Sequence, residues 1–173
     1  TPHADKLASE GMTFTDAHSW SSVCSPTRYG IMTGRYSWRT WLQKGVVTGF
    51  APSLIDAKRP TVAGFLKQQG YHTAAVGKWH LNFEYLNPKT GEHYTQETHK
   101  TPPIGAKIPD GPVDRGFDFY HGFHHARNME AVIENDRVIA HDKTINMLPR
   151  LTKQAVAYID SRAGHDQPFF LYL

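Results

Sequence analysis

Cys24 is the only cysteine in this chain of 173 residues, and it opens the run Cys24-Ser25-Pro26-Thr27-Arg28. A lone cysteine is most often a small buried hydrophobe. The neighbours here argue against that role. Ser21, Ser22, Ser25 and Thr27 are small and polar. Pro26 cannot donate to a sheet ladder, so Cys24 does not belong inside a central strand. Proline does suit the first turn of a helix, and Pro26 to Thr33 reads as one with its N-terminus at the Cys24 region. A helix N-terminus favours anions and lowers thiol pKa values. Arg28, four residues on, then shares a face with Cys24. A thiol phosphatase loop also pairs cysteine with arginine, but it spaces them more widely than the three residues found here.

A second group follows in Gly77-Lys78-Trp79-His80. Lysine is a point cation suited to an oxyanion. Histidine orients a nucleophile or transfers a proton near neutral pH. In extended chain, residues two apart project to one side, which would place Lys78 and His80 together. Taken alone, a solvated lysine and an ordinary histidine are the simpler reading. His121, His124 and His125 form a third group. On a helix their spacing would suit a metal, but Gly122 and the aromatic neighbours favour a turn. Three roles stay open for them: structural or solvated histidines, a metal site, or substrate contact in company with Arg127 and Asn128.

The elements that must position these residues follow from patterning. Ala4 to Glu10 reads as a short helix stopped by Gly11. Met12, Phe14 and Ala17 suggest a strand-like stretch. Residues 35–58 lack periodicity and read as loop. Pro60-Thr61 starts a helix with Val62, Phe65 and Leu66 on one face and Gly70 as its stop. Tyr71 to Val76 is a strand broken by Gly77. Residues 86–111 read as an excursion over the surface. Ala131 to Ala140 is a hairpin turning at Asn135-Asp136. Leu148, Leu151, Ala155, Tyr158 and Ile159 mark an amphipathic helix closed by Gly164. Pro168 introduces a last strand, Phe169 to Leu173. Helices alternating with short apolar strands predict an α/β sheet with helices on both faces. Catalytic groups in such sheets collect at the carboxyl ends of strands, where Lys78 and His80 fall.

Bulk properties narrow the partners. Hydrophobic content of 39% and charged content of 20% are ordinary for a globular chain. A net charge of +3, with no dense basic stripe, does not point to nucleic acid. It mildly favours an anionic substrate. No apolar run approaches the roughly 20 residues of a membrane span.

The run from Cys24 to Arg35 resembles the signature of the type I sulfatases, and Gly70 to Leu81 resembles their Gly-Lys-x-His element. Asp114 to Phe123 is similar to a glycine- and aromatic-rich segment of that family, and Pro168 to Leu173 to a strand leading towards another active-site histidine. Residues 35–147 look most like bacterial polysaccharide sulfatases of the arylsulfatase A and N-acetylgalactosamine-6-sulfatase type. The resemblance implies an alkaline-phosphatase-like mixed sheet, flanked by helices on both faces. It implies that residues 1–173 are part of an N-terminal catalytic domain, without its first strand and its C-terminal part.

In that family the cysteine is oxidised to formylglycine by a maturation enzyme. The hydrated aldehyde attacks sulfur, the alcohol leaves, and the second hydroxyl collapses to expel sulfate. By resemblance Cys24 is the nucleophile and a ligand, as formylglycine, to calcium or another divalent cation. Arg28 holds the diol, Lys78 grips sulfate and His80 orients the diol. The family's adjacent aspartate pair and its Asp-Asn pair are missing here: the chain has no Asp-Asp and no Asp-Asn step. The remaining ligands and the general acid are therefore expected outside these residues. The implied substrate is a sulfated saccharide, and the implied location periplasmic or secreted. Sugar recognition is expected from residues 86–111 and 123–128, with His93, His99, Lys100, His124, His125 and Arg127 as contacts. Two other readings keep the same motifs: a sulfatase-like carbohydrate-binding protein without chemistry, and a formylglycine-dependent phosphate or phosphonate ester hydrolase.

Overall fold

Ala74, Ala75 and Val76 sit at the centre of the molecule, each almost wholly enclosed, on a strand hydrogen-bonded along both edges. A computed structural model of the chain describes residues 1–48, 50–94 and 101–173. The expectations placed on His99 and Lys100 lie outside the described residues. The helices are α1 (Pro2–Glu10), α2 (Cys24–Thr33), α3 (Val62–Gln68) and α4 (Met147–Arg162). The strands are β1 (His72–Lys78), β2 (Phe119–Phe123), β3 (Ala131–Glu134), β4 (Arg137–His141) and β5 (Phe169–Tyr172). They form one sheet in the order β4-β3-β2-β1-β5. β1 pairs in parallel with β2 and β5, and the β3–β4 hairpin adds antiparallel to β2. The sheet is therefore mixed. A strand flanked by parallel neighbours is buried on both faces, which explains the unbroken small apolar run of β1.

Alternation along the strands assigns the two faces. His72 and Phe119 meet Tyr158 of α4 on one side, at ring distances of 5.7 and 6.2 Å. Ala75, Tyr120 and Ile133 face the other way, into the main core with Trp79, Phe117 and Tyr29 of α2. Helices thus cover both faces. α2 starts after extended Val23 and ends at Gly34, whose left-handed conformation returns its N–H to the carbonyl of Gly30 at 2.8 Å. α3 is capped by Thr61, whose hydroxyl accepts from the N–H of Gly64 at 3.0 Å.

Several local expectations are corrected. β1 does not break at Gly77; it runs through to Lys78. Gly77 is held at φ +124 against Gly122, where an added Cβ would lie 1.8 Å from the Gly77 oxygen. Two facing glycines let the strands approach where other residues would collide. Met12 and Phe14 form no strand and lie exposed, because no partner strand flanks them among the described residues. Phe65 is exposed while Ala63 takes the core position of α3. On α4 the buried set is Met147, Ala155 and Tyr158, so Leu148 and Ile159 fall off that face. The stretch after Leu86 is more than a surface excursion: Leu86 bridges Lys107, and Tyr94, Ala106 and Ile108 are buried.

Candidate active site

Cys24 is the first residue of α2 and half-buried, in an open cleft lined by Ser21, Thr27, Arg28 and Tyr172. The helix starts two residues earlier than Pro26 suggests, so Cys24 and Arg28 sit one turn apart on one helix and line one cleft. Nη1 of Arg28 donates to the main-chain oxygen of Lys78 at 2.6 Å and lies 3.2 Å from the Tyr172 hydroxyl. The guanidinium also stands over the Tyr172 ring, 5.9 Å from its centroid. Arg28 thereby clamps the first turns of α2 to the carboxyl end of β1 and to β5.

A second link runs through Ser25. Its hydroxyl is fully buried and accepts from the N–H of Val47 at 3.2 Å. The carbonyl of the same Val47 accepts from Nε2 of His80, also at 3.2 Å. A carbonyl only accepts, so Nε2 carries the proton and Nδ1 of His80 is left as the acceptor. Nδ1 is buried and makes no hydrogen bond among the described residues. Burial, aided by the charges of Lys78 and Arg28 and by His125, pushes the His80 pKa down to about 4. His80 is therefore neutral near pH 7.

Lys78 and His80 are not two successive same-side positions of one extended strand. The strand ends at Lys78, and His80 turns into the left-handed region at φ +56. Its N–H instead pairs with the carbonyl of His124 at 2.8 Å, which brings the third histidine group beside it. The rings of His80 and His125 are 5.5 Å apart. His125 accepts at Nδ1 from the N–H of Arg127 at 3.0 Å. Its pKa is lowered by burial and by the charges of Arg127 and Lys78. His80, His125 and Arg127 line a pocket of about 160 Å³ with Val46, Val47 and Thr48. His124 is sealed behind it, with Phe83 and His125 at ring distances of 4.6 and 4.7 Å, and burial holds its pKa well below the usual value. His121 lies on β2 at 3.3 Å from Glu134.

The structure therefore arranges the motif residues in two adjoining parts. Cys24 and Arg28 line one cleft; His80, His125 and Arg127 line another pocket; Ser25–Val47 and Arg28–Lys78 tie the two together. Sequence reasoning missed Ser25, Val47 and Tyr172. Ser25 stood inside the motif and Tyr172 inside the last strand; Val47 acts only through its backbone and carries no sequence signal. The described residues contain no group of three or more histidine, cysteine, aspartate or glutamate side chains placed to hold a metal. The Cys24 cleft offers hydroxyls, an arginine and a tyrosine but no carboxylate. A hard divalent cation takes about six oxygen ligands, so these residues do not by themselves fit one.

A family model described as Sulfatase matches residues 1–173. The chain is 42% identical over 102 residues to the N-acetylgalactosamine-6-O-sulfatase of Bacteroides thetaiotaomicron, covering 59% of this chain and 19% of that protein. It is 36% identical over 194 residues to arylsulfatase G of Mus musculus, covering all of this chain and 35% of that protein. A solved structure from work on the metabolism of multiple glycosaminoglycans by Bacteroides thetaiotaomicron superposes with a TM-score of 0.79 at 25% identity, over 99% of this chain and 45% of its own. The chain thus spans about a fifth to a third of the curated relatives it matches. The mixed sheet covered on both faces is the alkaline-phosphatase-like arrangement.

Proposed function

The chain belongs to the sulfatase family, and from that premise we propose that the protein containing it hydrolyses sulfate monoesters on a sulfated saccharide, with Cys24 as the source of the nucleophile. The observation that carries this reading is the clamp of Arg28 on the Lys78 carbonyl, which registers the helix bearing Cys24 against the strand end bearing Lys78. Cys24 lies at an open cleft on a helix N-terminus, reachable by a maturation enzyme and then by substrate.

Converted to formylglycine and hydrated, Cys24 supplies paired hydroxyls, one to attack sulfur and one whose deprotonation expels sulfate. The rest falls to ordinary side chains. A sulfate monoester is an anion that repels nucleophiles, so the site must present positive charge. Arg28, fixed by Lys78 and Tyr172, holds cationic charge beside Cys24. Lys78 supplies the mobile cation for sulfate oxygens. Neutral His80 presents Nδ1 as a hydrogen-bond acceptor that orients a hydroxyl. His125 and Arg127, which line the adjoining pocket, contact the sugar, and buried His124 supports His125 by packing.

The divalent cation, calcium in our reading, takes its remaining ligands from residues beyond this chain, and no step above depends on it. A sulfated polysaccharide is a polyanion that does not cross a bilayer, so we place the protein in the periplasm or outside the cell. The curated relative acting on N-acetylgalactosamine 6-sulfate makes galactosamine-type glycans the first substrates to try. The complete protein, co-produced with a formylglycine-generating enzyme, is assayed on sulfated mono- and oligosaccharides beside phosphate and phosphonate esters. Release of sulfate from the saccharides is the expected result. Turnover confined to phosphonates, or saccharide binding without turnover, would replace this reading.

A further inference from the structure

Three aromatic rings stand exposed beside the Cys24 cleft. Tyr36 and Trp38 are stacked, 5.7 Å between centroids at 18°, and Trp20 meets Tyr36 edge-on at 5.0 Å. About half of Tyr36 and more than half of Trp38 is open to solvent. Their placement is fixed by the catalytic helix itself. Trp20 lies flat on Gly30 of α2, where a Cβ would come within 2.3 Å of its Cγ. Trp20, Tyr36 and Trp38 line a groove with Lys44, Val23 and Pro26. That groove shares Ser21 and Val23 with the cleft of Cys24. The two adjoin at the start of α2.

The charge of this region is equally one-sided. Between Asp16 and Asp56 the sequence has no aspartate or glutamate, while it carries Arg28, Arg35, Arg39 and Lys44. Arg35, Arg39 and Lys44 make no ion pair among the described residues. A core needs no such exposed stacked rings, and a solvated face needs no such exclusion of acids. Flat aromatic faces suit the C–H faces of pyranose rings, and unpaired lysine and arginine suit sulfate or carboxylate groups along a glycan.

We propose that Trp20, Tyr36 and Trp38, with Lys44, form a distal subsite for the neighbouring sugar units of an anionic oligosaccharide whose terminal sulfated unit enters the Cys24 cleft. The proposal rests on the sulfatase reading for what occupies the cleft. It adds that the protein prefers oligomeric over monomeric substrate and reads the extra units on this aromatic ledge.

The test compares the complete, matured protein with Tyr36→Ala/Trp38→Ala and with Lys44→Ala. Substrates are a 6-sulfated N-acetylgalactosamine monosaccharide and size-defined chondroitin 6-sulfate oligosaccharides. The expected result is a roughly tenfold loss of kcat/KM on the oligosaccharide for the aromatic double variant, a smaller loss for Lys44→Ala, and no change on the monosaccharide. Tyr36→Phe/Trp38→Tyr keeps the ring faces and should restore the oligosaccharide rate. Equal rates on both substrates in every variant, or equal losses on both, overturn the subsite while leaving the sulfatase reading intact. If the unmutated protein releases sulfate from no sulfated mono- or oligosaccharide, that reading fails. Calorimetric titration of Cys24→Ala protein with the same oligosaccharides then decides the subsite by itself: affinity undiminished by Tyr36→Ala/Trp38→Ala overturns it.

Discussion

Nη1 of Arg28 donates to the main-chain oxygen of Lys78 at 2.6 Å across a sequence separation of 50 residues. This contact makes the two signature segments one unit. Arg28 is thereby partly committed to the fold, and its remaining donors and charge stay beside Cys24. Lysine at this position would keep the charge but lose the planar fork. Arg28→Lys should therefore lower stability by about 1–2 kcal/mol and also slow turnover, because α2 loses its register on β1. Denaturant unfolding and steady-state kinetics on the same preparation check this; a variant unchanged in both would show that the clamp is incidental.

Lys78 differs, because its backbone serves the clamp while its half-buried side chain has no hydrogen bond or ion pair in the described residues. Lys78→Ala should leave the melting temperature near that of the parent and reduce kcat by about two to three decades, the effect of removing a charge-assisted contact to a developing anion. Normal kcat with a normal melting temperature would make Lys78 a bystander.

The histidine cluster predicts an acid limit to stability. The folded-state pKa of His80 lies at about 4, against 6.5 for an ordinary histidine, and burial also lowers those of His72, His121, His124 and His125. Above pH 6.5 both folded and unfolded chains hold these rings neutral. As pH falls from 6.5 towards 4 the unfolded chain takes up protons first, so stability drops through that window. Urea unfolding should give a lower midpoint at pH 5 than at pH 7, and His124→Phe should flatten the difference without loss of turnover. A midpoint equal or higher at pH 5 contradicts this.

Gly122 tests the packing that sets the strand end. An alanine Cβ there would lie 1.8 Å from the oxygen of Gly77, backbone against backbone, with no flexible atom to yield. Gly122→Ala should destabilise by several kcal/mol, seen as loss of a cooperative melting transition. A soluble, normally melting variant would mean that β1 and β2 can separate without penalty.

The α/β class, the hairpin at Asn135 and the helix from Pro26 to Thr33 were legible because local rules govern them: a proline in a first turn, asparagine at a left-handed position, alternation in short strands. The two chemical motifs stood out only through their resemblance to a family. What was not legible depends on partners distant in sequence. Gly77 reads as a breaker until Gly122 faces it. Phe65 reads as core until Ala63 takes the core position of α3. His124 keeps structural, metal and substrate roles open in the sequence until Phe83 and Tyr85 close around it. The support of His80 by Val47 involves a carbonyl, which every residue carries.

The claim on which the rest depends is that Cys24 becomes the nucleophile. Mass spectrometry of the peptide spanning Cys24, from protein co-produced with a formylglycine-generating enzyme, tests it most directly. The account predicts the mass change of replacing one sulfur and two hydrogens by one oxygen, together with reaction of that peptide with a hydrazide probe. A peptide that remains fully thiol, although the maturation enzyme is shown active on a control substrate in the same cells, would contradict it.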